Sequence, residues 1–210
     1  MIQIAIFFAV ASLLWTIGSL SYQWLALRGH NRDHSAQSGK PAKGVLYNFT
    51  TAMLPSHKET MRLHPVKFMA GVLMHIGMFA AFATSIHLVF RQGFYPVIST
   101  LFIFILAPGL IAGVYLLVRR VTSPLLKSIS VPDDYFAVSV TNLYLLLALL
   151  LHLNRMSATV FLFYSALLFI YLPLGKLKHA AFFFAARVDY GRRLGYRGVY
   201  PANHSERPNP

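Results

Sequence analysis

The sequence predicts an all-α membrane protein, a five-transmembrane-helix bundle with its N-terminus outside and its C-terminus in the cytoplasm. Three observations lead there. Of 210 residues, 56% are hydrophobic and only 12% are charged, which is too apolar for an ordinary soluble domain and too patterned for a disordered one. Five stretches approach the roughly 20 apolar residues that a helix needs to cross a bilayer. Of the 19 lysines and arginines, all but Arg91 and Arg155 fall in segments that alternation of the spans puts on one side, and the positive-inside bias makes that side the cytoplasm.

The first stretch, residues 2–27, has no basic segment ahead of it and no small-residue cleavage site, so it reads as a retained helix and not a signal peptide. Arg28, Arg32, Lys40, Lys43, Lys58, Arg62 and Lys67 follow on the inner side. The second and third stretches, 66–90 and 97–118, are joined by a turn from Arg91 to Pro96, short enough to force antiparallel neighbours. Arg119, Arg120 and Lys127 mark the inner end of the third. The fourth, 135–151, opens after Asp134 and is joined to the fifth, 157–178, by His152–Met156; Pro173 bends the inner end of the fifth. Only the segment from Arg28 to His64 and the tail after Lys178 are long, and both mix Gly, Pro and cations. Asn48-Phe49-Thr50 fits a glycosylation sequon, inert on a cytoplasmic segment. The net charge of +13 is therefore a topology signal. Nucleic-acid binding would require a soluble basic face with a recognisable module, and the sequence has none.

The chemistry-bearing residues are histidines. His75, His87 and His152 sit in or at the end of membrane-length stretches, and His179 lies just past the last. An ionisable ring in hydrocarbon is costly and points to function. With no Cys in the chain, thiolate-held iron–sulfur and haem–thiolate sites are excluded, and paired imidazoles on haem iron become the leading option. His75 reads either as an axial ligand or as a side chain satisfied by a helix–helix hydrogen bond; Gly77 beside it permits close approach of a flat macrocycle or of a neighbouring helix. Lys176, Lys178, Arg119 and Arg120 are placed to meet haem propionates, or serve as positive-inside anchors. His87 lies twelve residues after His75, roughly 18 Å further along the helix and about 120° around it. His152 closes the fourth stretch at the same outer side, so the two are candidates for an outer haem. His64, before Pro65, reads as a cap, and His30, His34, His57 and His204 read as surface residues. On this reading residues 1–188 form one haem-binding membrane domain and 189–210 a basic cytoplasmic tail.

Several of these segments carry a family resemblance. Phe68–His87, with its His-Ile-Gly core, resembles the second helix of the gamma subunit of respiratory nitrate reductase. Val114–Pro124, with paired arginines and Ser-Pro, is similar to that subunit's third-helix exit, Asp134 fits the opening of its fourth, and Pro173–His179 resembles its closing Pro-x-x-(Lys/Arg)-x-x-His pattern. The resemblance runs from the first helix to about Val188 and extends to membrane cytochromes of sulfur-metabolism complexes related to heterodisulfide reductase. It implies a five-helix bundle holding two b haems, with His75 and His179 as ligands of the inner one. The family's outer ligands fall at Ser85 and Phe161, which cannot bind iron. That leaves His87 and His152 to supply an outer haem from shifted positions, or a single haem. The family's quinone-site lysine has no counterpart.

The function these readings imply is a membrane cytochrome b subunit of a respiratory complex in a bacterial or archaeal inner membrane. It would pass electrons between the quinone pool and a cytoplasmic iron–sulfur partner. Arg91 and Tyr95 are candidates for the quinone at the outer end, where interfacial anchoring explains them equally. The tail Arg187–Arg197, with Tyr190, Tyr196 and Tyr200, is the expected docking surface for the partner, with anionic lipid as the rival occupant. The alternatives are a haem-free membrane anchor for a redox partner, and a small transporter using histidines as proton relays. The second is weakened because all six acidic residues lie in cytoplasmic segments or at helix mouths.

Overall fold

The computed structural model describes residues 1–28, 40–57, 59–91 and 93–193. Those residues are all-helical, with no strand among them. In chain order the helices are α1 (Ile2–Arg28), α2 (Pro41–Phe49), α3 (Glu59–Leu63), α4 (Pro65–Phe90), α5 (Pro96–Thr122), α6 (Pro124–Ile129), α7 (Pro132–His152), α8 (Ala158–Tyr171) and α9 (His179–Arg193). Short 3₁₀ turns cover Thr51–Met53, Pro55–His57 and Lys176–Lys178. Four helices are long and apolar enough to cross a membrane: Ile2–Ala26, Pro65–Phe90, Pro96–Thr122 and Pro132–His152. A fifth span is counted only if Ala158–Tyr171 and Lys176–Arg192, interrupted between them, are taken together.

Helix starts differ from the hydropathy reading for one reason. α2, α4, α5, α6 and α7 each begin on a proline (Pro41, Pro65, Pro96, Pro124 and Pro132). Proline's missing N–H belongs to a position where no partner exists, and its fixed φ suits the first helical residue. The spans expected from 66, 97 and 135 therefore start one to three residues earlier. α7 is also capped by Asp134, whose Oδ2 accepts the Val131 N–H at 2.9 Å. Pro108 lies inside α5 without ending it, as membrane helices tolerate where neighbours absorb the freed carbonyl.

The fifth stretch departs most. α8 has 14 residues, about 21 Å at 1.5 Å per residue, and it stops before the expected 178. The Leu174 and Gly175 N–H groups turn back to the Tyr171 carbonyl at 2.9 and 3.0 Å. Gly175 is required there, because a Cβ would lie 2.3 Å from the Tyr171 ring.

The described chain forms two compact units. One contains Met1–Tyr22 and Val66–Lys178. Its core gathers Ala5 and Ala9 of α1, Ala81 and Leu88 of α4, Leu106 of α5, Tyr144 and Leu145 of α7, and Phe161 and Leu162 of α8. Without a hydrophobic drive between helices in lipid, small residues and polar groups set such contacts. Gly77 and Gly109 do so here: a Cβ on Gly109 would lie 2.9 Å from the Gly77 Cα. The Thr16 hydroxyl of α1 donates to the Phe169 carbonyl of α8.

The other unit contains Gln23–Pro65 and His179–Pro210, a division that differs from the boundary expected after residue 188. The segment expected as an irregular loop forms α2 and α3, and α2 packs on α9. Phe49 and Phe184 stack at 6.3 Å. Gly191 fits against the α2 backbone, where a Cβ would meet the Val45 Cα at 2.5 Å. Buried Asn48 accepts from the Arg187 guanidinium at 3.5 Å. Its side chain is thus part of the packing between α2 and α9.

Candidate functional site

His75 lies near the middle of α4 on an exposed face of its unit. Its Nδ1–H donates to the Gly71 carbonyl one turn earlier at 2.6 Å. That bond sets the tautomer and leaves the Nε2 lone pair as the coordinating atom, the arrangement a metal-ligating imidazole usually has. A Cβ on Gly71 would meet nothing within 4 Å, so the face that carries His75 has open space one turn inward. Gly77 serves the other role open to it, admitting the α5 backbone at Gly109. His179 is exposed and opens α9, in the other unit.

The four expected propionate cations separate into two groups. Arg120 and Lys176 converge on Asp134: Lys176 Nζ lies 2.7 Å from its Oδ1 and the Arg120 guanidinium 3.6 Å. Arg120 also donates to Ser130 Oγ at 2.9 Å. Asp133 completes the cluster by accepting the Tyr171 hydroxyl and the Lys176 backbone N–H. Half-buried Arg119 and exposed Lys178 make no ion pair among the described residues. The two acids at the opening of α7 therefore clamp the end of α5 and the turn after α8, a role the sequence reading did not give them.

Near the C-terminal ends of α4 and α7 the structure does bring His87 and His152 into one cluster, but with Phe94 between them. Phe94 stacks on His87 at 4.3 Å between ring centres and lies 4.5 Å from His152. Phe102 also packs on His152, at 4.9 Å, and on Phe94 at 6.3 Å. Thr84 donates its hydroxyl proton to the Ala80 carbonyl at 3.0 Å, so the contact to His152 Nε2 at 3.1 Å is an Nε2–H donated to Thr84. His152 Nδ1 then accepts from Ser99 Oγ at 3.4 Å. His87 Nε2 donates to the Gly93 carbonyl at 2.8 Å. Two axial ligands must aim lone pairs at one point across an open slot. Here the slot holds a phenylalanine, both nitrogens of His152 are engaged, and its residue is 3% exposed. Arranged this way, His87 and His152 do not fit a haem.

Ser85 and Phe161 are packed as well. Ser85 Oγ lies 2.6 Å from the Tyr144 hydroxyl and 3.0 Å from Ser165 Oγ, and Tyr144 donates to the Ala81 carbonyl at 3.0 Å. The Tyr144 ring stacks on Phe161 at 5.4 Å with 4° between planes. Thr84, Ser85, Ser99, Tyr144 and Ser165 were missed by the histidine-led reading. Their signal was present: polar residues recurring in apolar spans, where hydroxyls join helices. Asn142 adds a buried amide, 7% exposed, whose Oδ1 and Nδ2 have no hydrogen-bond partner among the described residues. It occupies the place of the side chain that Gly113 lacks, with a Gly113 Cβ falling 2.0 Å from Oδ1.

The outer candidates Arg91 and Tyr95 pair with each other. The guanidinium donates to the Tyr95 hydroxyl at 3.3 Å and lies 5.4 Å from the ring centre. Of the expected docking tail, α9 covers the part up to Arg193; Tyr196, Arg197 and Tyr200 lie outside the described residues, as do His30, His34, Lys58 and His204. Among the described residues no three His, Asp or Glu side chains are grouped to hold a metal ion; a haem iron asks the protein for only two. Comparison with family models, curated proteins and solved structures finds no match to this chain.

Proposed function

We propose that this chain is the membrane cytochrome b subunit of a redox complex, with five spans, an outside N-terminus and a cytoplasmic C-terminus. It holds one haem b, through His75 and His179, and passes electrons between the quinone pool and a cytoplasmic iron–sulfur partner in a bacterial or archaeal inner membrane. The observation that carries the reading is His75: a mid-helix imidazole whose Nδ1–H is committed to the Gly71 carbonyl at 2.6 Å, beside the open space at Gly71. The sequence supports it through the Pro173–His179 pattern, which ends on the second ligand.

When bound, a bis-imidazole haem supplies reversible one-electron transfer with no open position for oxygen chemistry. The chain's own residues hold and orient. The Gly71 carbonyl holds the His75 ring through Nδ1–H. Asp134 holds Arg120 and Lys176 together near the inner end, while Arg119 and Lys178 offer charge to an anionic group there. His87 and His152 clasp the α4–α5 link and the end of α7 and do not bind iron. Arg91 and Tyr95, an exposed cation–phenol pair on that link, remain the candidates to meet a quinone head.

Pyridine haemochrome on the purified protein tests this directly. One haem per polypeptide is expected, lost in His75→Ala and in His179→Ala. Two per polypeptide would reinstate the outer pair. None would make the chain a haem-free anchor for a redox partner.

A further inference from the structure

The unit formed by α2, α3 and α9 has a surface that its own packing leaves unexplained. α2 turns Gly44 and Asn48 toward α9. Its other face exposes Leu46 (63%), next to exposed Lys43. Met53 and Leu54, just past the helix, are exposed too, and so is Phe184, which stacks on Phe49 and is 51% exposed. Large apolar side chains exposed by one small unit are the mark of an interaction site. Across residues 40–65 and 179–193, lysines and arginines outnumber acids seven to two.

We propose that this unit docks on the anionic surface of a lipid bilayer through Leu46, Met53, Leu54 and Phe184, with Lys40 and Lys43 at the headgroups. Apolar side chains flanked by cations match the boundary between acyl chains and phosphates, where each lysine adds about 1 kcal/mol on an anionic leaflet. An acidic protein would answer the charges and leave the four apolar side chains without a counterpart. The bilayer answers both. It is also held at high effective concentration, because the same chain carries four membrane-length helices. This surface goes beyond the electron-transfer reading and stands whether or not the chain binds haem.

The chain has no cysteine, so single-cysteine variants accept one nitroxide each. The full-length protein is reconstituted in phosphatidylcholine vesicles with and without phosphatidylglycerol, carrying Leu46→Cys, Phe184→Cys or, as control, the exposed Ser56→Cys. With phosphatidylglycerol present, labels at 46 and 184 are expected to be relaxed by oxygen and shielded from a water-soluble nickel chelate. The label at 56 meets the chelate freely. Adding Lys40→Gln and Lys43→Gln should lower the ratio of docked to undocked label at 46 by roughly 30-fold, from two lysines at about 1 kcal/mol each. Labels open to the chelate in both vesicles overturn the proposal. So do labels shielded from oxygen and chelate alike, which would report a second copy or another protein on this face. Haem counted on the same samples keeps this outcome separate from that of the proposed function.

Discussion

His152→Ala separates a structural histidine from an iron ligand. The substitution removes the Nε2–H bond to Thr84 at 3.1 Å and the Ser99 bond at 3.4 Å. Hydrogen bonds between membrane helices average about 0.6 kcal/mol each, so these contribute roughly 1 kcal/mol. Thr84 is not orphaned, since its hydroxyl still donates to the Ala80 carbonyl. The larger loss is packing. The imidazole packs on Phe94 and Phe102 at 4.5 and 4.9 Å, and emptying a site of that size costs roughly 2–4 kcal/mol after partial collapse. The sum is about 3–5 kcal/mol, two to three decades in the unfolding equilibrium at about 1.4 kcal/mol per decade. Equilibrium unfolding in mixed detergent–SDS micelles measures it, and haem per polypeptide is counted beside it. The expected result is marked destabilisation with haem content unchanged, and His152→Phe should recover much of the loss by refilling the volume. Halving of a two-haem content at unchanged stability would refute the clasp.

Three further outcomes follow from named contacts. His75→Ala should abolish the b-type spectrum while leaving stability within about 1 kcal/mol, because its one hydrogen bond goes to a carbonyl of its own helix; optical spectra and the same unfolding assay check both. Gly113→Ala should cost about 1–3 kcal/mol through overpacking on Asn142, and nearly nothing in an Asn142→Ala background, so a double-mutant cycle that comes out additive would contradict the contact. Gly191→Val should separate α2 from α9, since even a Cβ falls 2.5 Å from the Val45 backbone. Limited proteolysis would show new cleavage near residues 41–49 with the haem content of the chain intact.

Hydropathy made the long helices legible because it acts along the chain: apolar length sets a candidate span. It left the helix starts to local chemistry, where proline at the first helical position decides. In the fifth stretch Pro173 signalled a bend, but composition does not show the turn closed on the Tyr171 carbonyl with Gly175 against its ring. α2 escaped notice because nine residues of mixed polarity become a helix mainly by packing, here on α9, as isolated helices of that length are marginal. At the site, His75 was legible from its apolar surroundings. The outer pair was legible as a cluster, since depth alone brings His87 and His152 together. What the rings do there depends on Phe94, a loop residue whose position no periodicity reports.

The prolines carry one more implication. Each of Lys40, Tyr95, Ser123 and Val131 precedes a helix-opening proline in extended backbone, as proline imposes on the residue before it. A helix so started cannot slide its first turn backward to absorb an inserted residue. His75 stands ten positions after Pro65, about 15 Å of rise, half the thickness of a hydrocarbon slab roughly 30 Å deep. Lengthening or trimming the segment ahead of Pro65 therefore alters a tether and leaves the place of that ring in α4 unchanged, whereas one residue gained inside the helix before it would turn the ring by about 100°.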